Sequence, residues 1–139
     1  MTVETSKAEM LPRNVGRSIG AVIAGILVVF VLSLGIDEVF HLLDVYPPWN
    51  EPMFGMGLNL LALSYRLVIG VLGGYVTARL APRAPMFHAI VLGGVGTALS
   101  LLGLAGAMSM KVGPVWYPLA LVVTALPCSW LGGKLFSRR

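Results

Sequence analysis

The sequence predicts an all-α integral membrane protein whose four transmembrane helices form two hairpins. Composition is the first reason, because 57% of the 139 residues are hydrophobic and only 12% are charged, whereas a soluble domain carries about 25% charged residues. The second is that the apolar residues fall into four long stretches, and the third is that the basic residues lie mostly in short segments between them. Lipid is therefore the expected solvent for most of this chain.

The four apolar stretches cover about residues 15–43, 58–80, 86–108 and 116–136. Each has the ~20 residues that a helix needs to cross a hydrocarbon core of about 30 Å. Backbone N–H and C=O groups in lipid must bond within their own segment, so we expect each stretch to be helical. The length fits a single domain over residues 1–139, with residues 1–12 as a polar cytoplasmic tail.

Positive charge predicts the orientation of this bundle. Eight of the ten basic residues fall on one predicted side, namely Lys7, Arg13, Arg17, Arg79, Arg83, Lys134, Arg138 and Arg139. The segment from Asp37 to Gly57, at the end of the first span and beyond it, instead holds Asp37, Glu38, Asp44 and Glu51 and no Lys or Arg. By the positive-inside rule both termini are cytoplasmic, and the rings of Trp49, Trp116 and Tyr117 suit the opposite, outer interface.

Several function classes are disfavoured. A net charge of +4 could suggest nucleic-acid binding, but no basic stripe with interleaved aromatic residues is present. The single cysteine, Cys128, cannot form an internal disulfide, and its apolar surroundings favour a packing role. Asp37 and His41 are predicted at the outer face and His88 at the inner face, so no Ser–His–Asp set shares one side. We therefore expect neither an enzyme nor a cofactor.

Two segments suggest an internal repeat of the hairpins. "LGGYVTAR" at 72–79 matches "LGGKLFSR" at 131–138, and the outer loops share Pro-x-Trp at Pro47–Trp49 and Pro114–Trp116. We predict a parallel repeat related by an axis along the membrane normal.

Arg66 lies inside the second apolar stretch, where a charged side chain costs ~2.5–3.5 kcal/mol on insertion scales. It should therefore face protein, water or a carboxylate. The first span ends at a similar depth with Asp37 and Glu38, so we predict an Arg66–Asp37 or Arg66–Glu38 ion pair, which could be bidentate. The pair would lock two helices, or it would form a polar site for an anion or a proton path.

Small and polar residues share predicted helix faces. One side of span two combines Asn59, Arg66, Gly70, Gly73 and Thr77, and Gly70 also forms a small-xxx-small pattern with Gly74. Span three repeats the theme with Gly93, Gly96, Thr97, Ser100 and Gly103. Small residues let membrane helices approach closely, so tight packing is the favoured interpretation. A solute pathway lined by hydroxyls is the alternative.

A metal site at the outer face is a weaker hypothesis. Asp37, His41 and Asp44 are spaced i, i+4 and i+7, which places possible zinc ligands on one helical face. Met53, Met56, Met108 and Met110 could offer thioethers to a soft metal such as Cu(I). The alternatives are solvated charges at a helix end and apolar interfacial packing.

Four pieces of the chain carry a family resemblance: "LSLGIDEVFHLLDVYPPWNEPM", "YRLVIGVLGGYVTARLAP", "PMFHAIVLGGVG" and "WYPLALVVTALPCSWLGG". Together they resemble a family of small, uncharacterised, four-span bacterial inner-membrane proteins. The resemblance implies a bacterial inner-membrane location and no assigned activity. It places Asp37, Tyr65, Arg66, Gly73, Gly74, Arg79 and Trp116 in recognisable motifs. Ile36 departs from the pattern, which has a threonine there.

The favoured function is a non-enzymatic accessory or structural subunit that associates through its glycine-rich helix faces, with a second copy or another membrane protein as partner. The alternative is a small transporter or channel with its polar site around Arg66 and the Asp37 region. We expect one chain to have little interior space, so a solute path would need an oligomer or a partner. Metal handling at the outer face is the third hypothesis.

Overall fold

The computed structural model describes residues 2–48, 51–111 and 113–138. Within these ranges the chain forms four α-helices and no strand: α1 (Thr2–Leu42), α2 (Met56–Leu80), α3 (Pro85–Met110) and α4 (Trp116–Ser137). Each contains a segment long and apolar enough to cross a membrane. The predicted class, an all-α membrane protein with four spanning helices, is confirmed.

The helix boundaries follow the predicted spans to within two residues, except at the start of α1. Residues 2–12, expected as a polar tail, belong to α1, which begins at Thr2. This segment includes strong helix formers such as Glu4, Lys7 and Ala8, whose propensity favours helix without any apolar periodicity. The membrane-spanning part of α1 is Val15–Leu42.

A Schellman motif ends α1. Asp44 adopts a left-handed backbone with φ of 60°, its N–H donates to His41 O at 3.2 Å, and the Val45 N–H donates to Phe40 O at 2.9 Å. This 6→1 and 5→2 pattern satisfies the last carbonyls of the helix. It also turns the chain sharply, so that Tyr46 comes back against Phe40 with ring centroids 5.2 Å apart.

The turn between α2 and α3 is built from two prolines. Ala81, extended at φ −62° and ψ 135°, precedes Pro82, as the ring of a following proline requires. Pro85 then stands at the first position of α3, where its missing N–H costs no helical hydrogen bond.

Helix α2 is the centre of the bundle. It packs against α1 on one side and α4 on the other and also touches α3, while α3 and α4 pair extensively. In the described part of the chain, α1 approaches α2 and α3 but not α4. We call the end with Arg79 and Arg83 the basic end and the end with residues 43–48 and 51–55 the acidic end.

Glycines on α2 and α4 let these two helices come into backbone contact. A Cβ added at Gly74 would overlap the backbone of Ser129, and one added at Gly132 would overlap Val71 O. Gly70 lies against Cys128, with 3.2 Å between its added Cβ and the Cβ of the cysteine. Close approach through small residues is how helices associate where lipid supplies no hydrophobic drive.

A different set of residues joins α1 to α2. A Cβ at Gly73 would lie 2.6 Å from a Val29 methyl group, and Thr77, which is fully buried, donates its hydroxyl to Ala21 O at 3.0 Å. The small residues of span two, predicted to share one face, therefore contact two different helices. Gly73 and Thr77 face α1, whereas Gly70 and Gly74 face α4, because residues one apart are rotated by about 100°.

Helices α3 and α4 pair through Gly93, whose added Cβ would lie 2.7 Å from a Leu126 methyl group. Nearby, the buried Ser129 hydroxyl donates to Ala89 O at 2.5 Å. Gly96 lies in ordinary contact range of Ala125, at 3.5 Å. The predicted glycine face of span three thus packs on α4 over this part of its length.

The predicted repeat of the hairpins stays a prediction. The matching Leu-Gly-Gly segments do meet, since Gly74 and Gly132 both lie in the α2–α4 contact. A two-fold axis along the membrane normal would make the α2–α3 and α1–α4 pairs equivalent. In the described residues only the first of these pairs is in contact.

Gly74→Ala tests the α2–α4 contact. The new methyl group would overlap backbone atoms of Ser129 that cannot rotate away, so we expect the variant to be destabilised by about 1–3 kcal/mol. Gly94→Ala is the matched control, because nothing lies within 4 Å of a Cβ there. Thermal unfolding in mild detergent measures both. Equal unfolding midpoints for the two variants would contradict the contact.

Candidate functional site

A buried ion pair joins α1 to α2 near the acidic end. Asp37 is only 5% exposed, and its Oδ2 accepts a hydrogen bond from Arg66 Nη2. The ion pair was predicted with Asp37 or Glu38 as the acid, and the structure brings Asp37 to the arginine. Glu38 is exposed, and adjacent helical residues point about 100° apart.

Tyrosines extend this pair towards the acidic end. Tyr65 donates its hydroxyl to Asp37 Oδ1, so both carboxylate oxygens are occupied. The Tyr46 hydroxyl lies 3.0 Å from that of Tyr65. Because the single Tyr65 proton is committed to the carboxylate, Tyr46 must be the donor in this second bond. Hydrogen bonds thus run from Tyr46 to Tyr65 to Asp37.

Aromatic rings surround the polar groups. Phe40 lies between Tyr46 and Tyr65, at centroid distances of 5.2 and 5.7 Å. The guanidinium carbon of Arg66 lies 5.8 Å from the ring centroid of Tyr117 on α4, within the range of a cation–π contact. Burial raises the pKa of the Tyr46 hydroxyl, so this residue stays a neutral donor at physiological pH.

The arginine keeps unused hydrogen-bonding capacity. Its Nε and the hydroxyl of Tyr117 are the two buried side-chain polar atoms without a hydrogen-bond partner in the described residues. A guanidinium has five N–H donors, and Asp37 engages Nη2. The Arg66 side chain is 28% exposed, and it lines the interior of the bundle.

That interior is a cavity of about 370 Å³ between the four helices. Its wall is mainly apolar, and the polar residues that line it are Ser33, Arg66, Ser100, Thr124, Cys128 and Ser129. Arg66 is the charged member of the lining. A volume of this size matches small-molecule sites, which span about 300–1,000 Å³. The expectation that one chain has little interior space is wrong, because α1 and α4 do not close on each other.

The cavity reaches the outer surface of the bundle between α1 and α3. Phe30 and Leu34 on α1 and Leu99 and Gly103 on α3 line it, yet each is also exposed. The two helices meet nearer the basic end, where a Cβ on Gly25 would lie 2.9 Å from Leu92. The mouth therefore opens sideways, within the membrane-spanning part of the helices.

Other predicted site residues have local roles. Asn59 is 2% exposed and donates to Met53 O at 3.0 Å and Gly55 O at 2.8 Å, which fixes the acidic-end loop to α2. Thr97 donates to Gly93 O within its own helix, at 2.9 Å. Ser100, a third predicted residue, lines the cavity, whereas Asn59 and Thr97 do not.

The predicted zinc ligands Asp37, His41 and Asp44 do not assemble. Asp44 lies beyond the end of α1 in a left-handed conformation, so it leaves the helical face that Asp37 and His41 share. Asp37 is held by Arg66 and Tyr65, and His41 Nδ1 lies 2.6 Å from Asp37 O. Within the described residues no group of three His, Cys, Asp or Glu side chains could hold a metal ion. Of the methionines, Met56, Met108 and Met110 are exposed, and Met53 is half-buried.

Sequence reasoning found Arg66 and its acid but missed the tyrosines as part of the site. Tyr117 was assigned to the membrane interface, whereas it lies beside Arg66. Trp116 packs on it, with ring centroids 6.2 Å apart, and Trp49 falls outside the described residues. The available signal was the position of Tyr65 directly before Arg66, at the depth of Asp37.

Comparisons with models of protein families, with curated proteins and with solved structures give no match. The resemblance to a four-span bacterial family therefore stays a prediction. Three of its motif residues, Asp37, Tyr65 and Arg66, meet at this site. Gly73 and Gly74 instead lie in helix contacts.

Exchanging the two charges tests the pair. Arg66→Glu leaves two buried acids and should cost about 3–5 kcal/mol, as expected for an uncompensated buried charge. The double variant Asp37→Arg/Arg66→Glu should recover much of the membrane expression, because it restores opposite charges. Glu38→Arg/Arg66→Glu is the control and should stay as poorly expressed as Arg66→Glu alone. Equal recovery by both double variants would contradict the assignment of Asp37.

Proposed function

We propose that this multi-pass membrane protein is non-enzymatic and binds a small molecule inside its helix bundle, as a small transporter or carrier does. The observation that carries the proposal is the cavity of about 370 Å³ lined by Arg66. A charged side chain inside a membrane bundle that lines a cavity is by default a functional-site hypothesis. Here the charge has both a structural partner, Asp37, and an accessible side.

Only part of the guanidinium is used by the ion pair, and this supports a binding role over a purely structural one. One nitrogen, Nη2, binds Asp37, and this bond alone would lock α1 to α2. A structural lock does not require the arginine to line an open cavity, yet Arg66 lines one and its side chain is 28% exposed. Asp37 has both oxygens occupied, which makes it unsuited to general acid–base catalysis.

Native mass spectrometry of the protein extracted from its own membrane in mild detergent tests the binding function. We expect a non-covalent small-molecule adduct on the wild-type protein. Gly103→Phe should remove the adduct, because residue 103 lines the cavity and nothing lies within 4 Å of its Cβ. Gly106→Phe is matched to it: it lies one turn further along α3, also has open space, and does not line the cavity. Adducts unaffected by Gly103→Phe would contradict the proposal.

An accessory or structural subunit is the second candidate. The observation that favours it is on α1, where nothing lies within 4 Å of a Cβ at Gly16 or Gly20. This small-xxx-small pair therefore takes no part in the packing of the single chain, and such pairs join membrane helices. The same mass spectra separate the two candidates, because an accessory subunit carries a second protein chain, or a second copy, instead of a small molecule.

We propose a bacterial inner-membrane location with both termini in the cytoplasm. The hairpin arrangement gathers Arg17, Arg79, Arg83, Lys134 and Arg138 at the basic end, and the positive-inside rule assigns that end to the cytoplasm. A reporter that is active only outside the cytoplasm should be silent when fused after residue 139 and active when inserted in the loop near Glu51. The reverse pattern would overturn the orientation.

A further inference from the structure

We propose that the cavity binds an uncharged, membrane-soluble molecule that carries a hydrogen-bond-accepting carbonyl oxygen, and that Arg66 donates to this oxygen. The inference deepens the proposed binding function and rests on it. Three features of the site lead to this ligand class: the net charge around Arg66, the composition of the cavity wall and the position of the mouth.

Charge decides against an anion. Arg66 is the charged residue in the described lining of the cavity, and Asp37 already neutralises it through a direct ion pair. A second carboxylate or a phosphate would lie close to Asp37 and be repelled by it, since like charges in a low-dielectric interior interact strongly. A neutral acceptor meets the guanidinium without that repulsion. The anion considered from the sequence is therefore the less favourable ligand.

Hydrogen bonding demands an acceptor. The guanidinium is a donor-only group, and Arg66 lines a cavity whose other wall residues are mostly aliphatic side chains from α1, α3 and α4. The hydroxyl protons of Thr124 and Ser129 are engaged by backbone carbonyls, at 2.7 Å to Ala120 O and 2.5 Å to Ala89 O, which leaves Arg66 as the donor for a ligand. Donors left without acceptors in an apolar cavity are costly. A carbonyl oxygen on an otherwise apolar ligand satisfies them.

The position of the mouth sets the route and the solubility of the ligand. The cavity opens between α1 and α3 at Phe30, Leu34, Leu99 and Gly103, which are exposed on the lipid-facing side of the bundle. The ligand thus enters from the hydrocarbon region, which selects molecules dissolved in the membrane. Arg66 lies about 15 Å along α2 from Met56, so the carbonyl must lie well inside the hydrocarbon when bound.

Binding of matched test compounds to the full-length, delipidated protein in detergent measures this preference. The compounds are 2-tetradecanone, tetradecane and, at pH 8, myristate, which share a chain length and differ in the end group. We expect the ketone to bind about ten-fold more tightly than the alkane, as a hydrogen bond to a charged donor provides, and more tightly than myristate. Equal binding of ketone and alkane, or tighter binding of myristate, would overturn the inference.

A charge-free variant identifies the donor. Asp37→Asn/Arg66→Met removes the ion pair and the donor without leaving one unpaired buried charge, and the ketone preference over the alkane should fall to about two-fold or less. Arg79→Gln, at the exposed basic end, is the control and should keep the full preference. If the double variant does not fold, the comparison of compounds on the wild-type protein still decides the question.

The carbonyl could come from a bilayer lipid or from a separate molecule, and the affinity for the ketone measured in nanodiscs distinguishes these two sources. If a bilayer lipid supplies it through an ester, the ketone should bind more weakly in diester than in diether phospholipid, because the ester competes. If a separate molecule supplies it, the two lipids should give the same ketone affinity. A native adduct that Gly103→Phe abolishes, combined with no preference for the ketone, would refute the ligand class and leave the binding function standing. No adduct and no binding of any compound would refute both.

Discussion

The ion pair between Asp37 and Arg66 is the interaction on which the acidic half of this bundle depends. Each group alone would be an uncompensated charge in hydrocarbon, and together they form a neutral bridge between α1 and α2. Tyr65 donates to the second oxygen of the carboxylate. The Tyr46 hydroxyl reaches that of Tyr65 only because the Schellman turn brings the loop back over Phe40. A helix terminus, two hydroxyls and a buried charge are thus coupled in one structure.

The basic half is held by a different principle. There the helices meet through glycine and hydroxyl side chains, with Thr77 bonded to Ala21 O and Gly74 packed on Ser129. Backbone contact of this kind excludes any interior space. The cavity therefore starts at the edge of this contact, with Ser129 in its wall, and extends to where polar groups hold α1 to α2 and α1 lies apart from α4. Close packing at one end and a charged bridge at the other leave room between them.

The fold could be predicted from the sequence because the bilayer imposes one strong constraint, a run of about 20 apolar residues for each span. The helix limits near Leu80 and Trp116 follow from it, as does the need of Arg66 for an acid. The helical conformation of residues 2–12 could not be predicted from hydropathy, since polar helix formers such as Glu4 carry no hydropathy signal. The choice between Asp37 and Glu38 required the rotation of α1 about its axis, which depends on packing at Gly25 and Thr77. The cavity was missed for a related reason: it depends on the distances between packed helices, which no single residue or motif in the sequence indicates.

The placement of the two charges on neighbouring helices has a consequence for biogenesis. A translocon that released α1 by itself would leave Asp37 facing acyl chains, and α2 by itself would expose Arg66, each at a cost of about 2.5–3.5 kcal/mol. Released as a hairpin, α1 and α2 enter lipid as an electrically neutral unit with the acidic-end loop already closed over the pair. In the described spans of the second hairpin, Lys134 near the end of α4 is the one Asp, Glu, Lys or Arg residue, so α3 and α4 need no ion pair to enter lipid. The first hairpin is thus the natural insertion unit, and α3 and α4 complete the bundle on a surface that the first two helices have already formed.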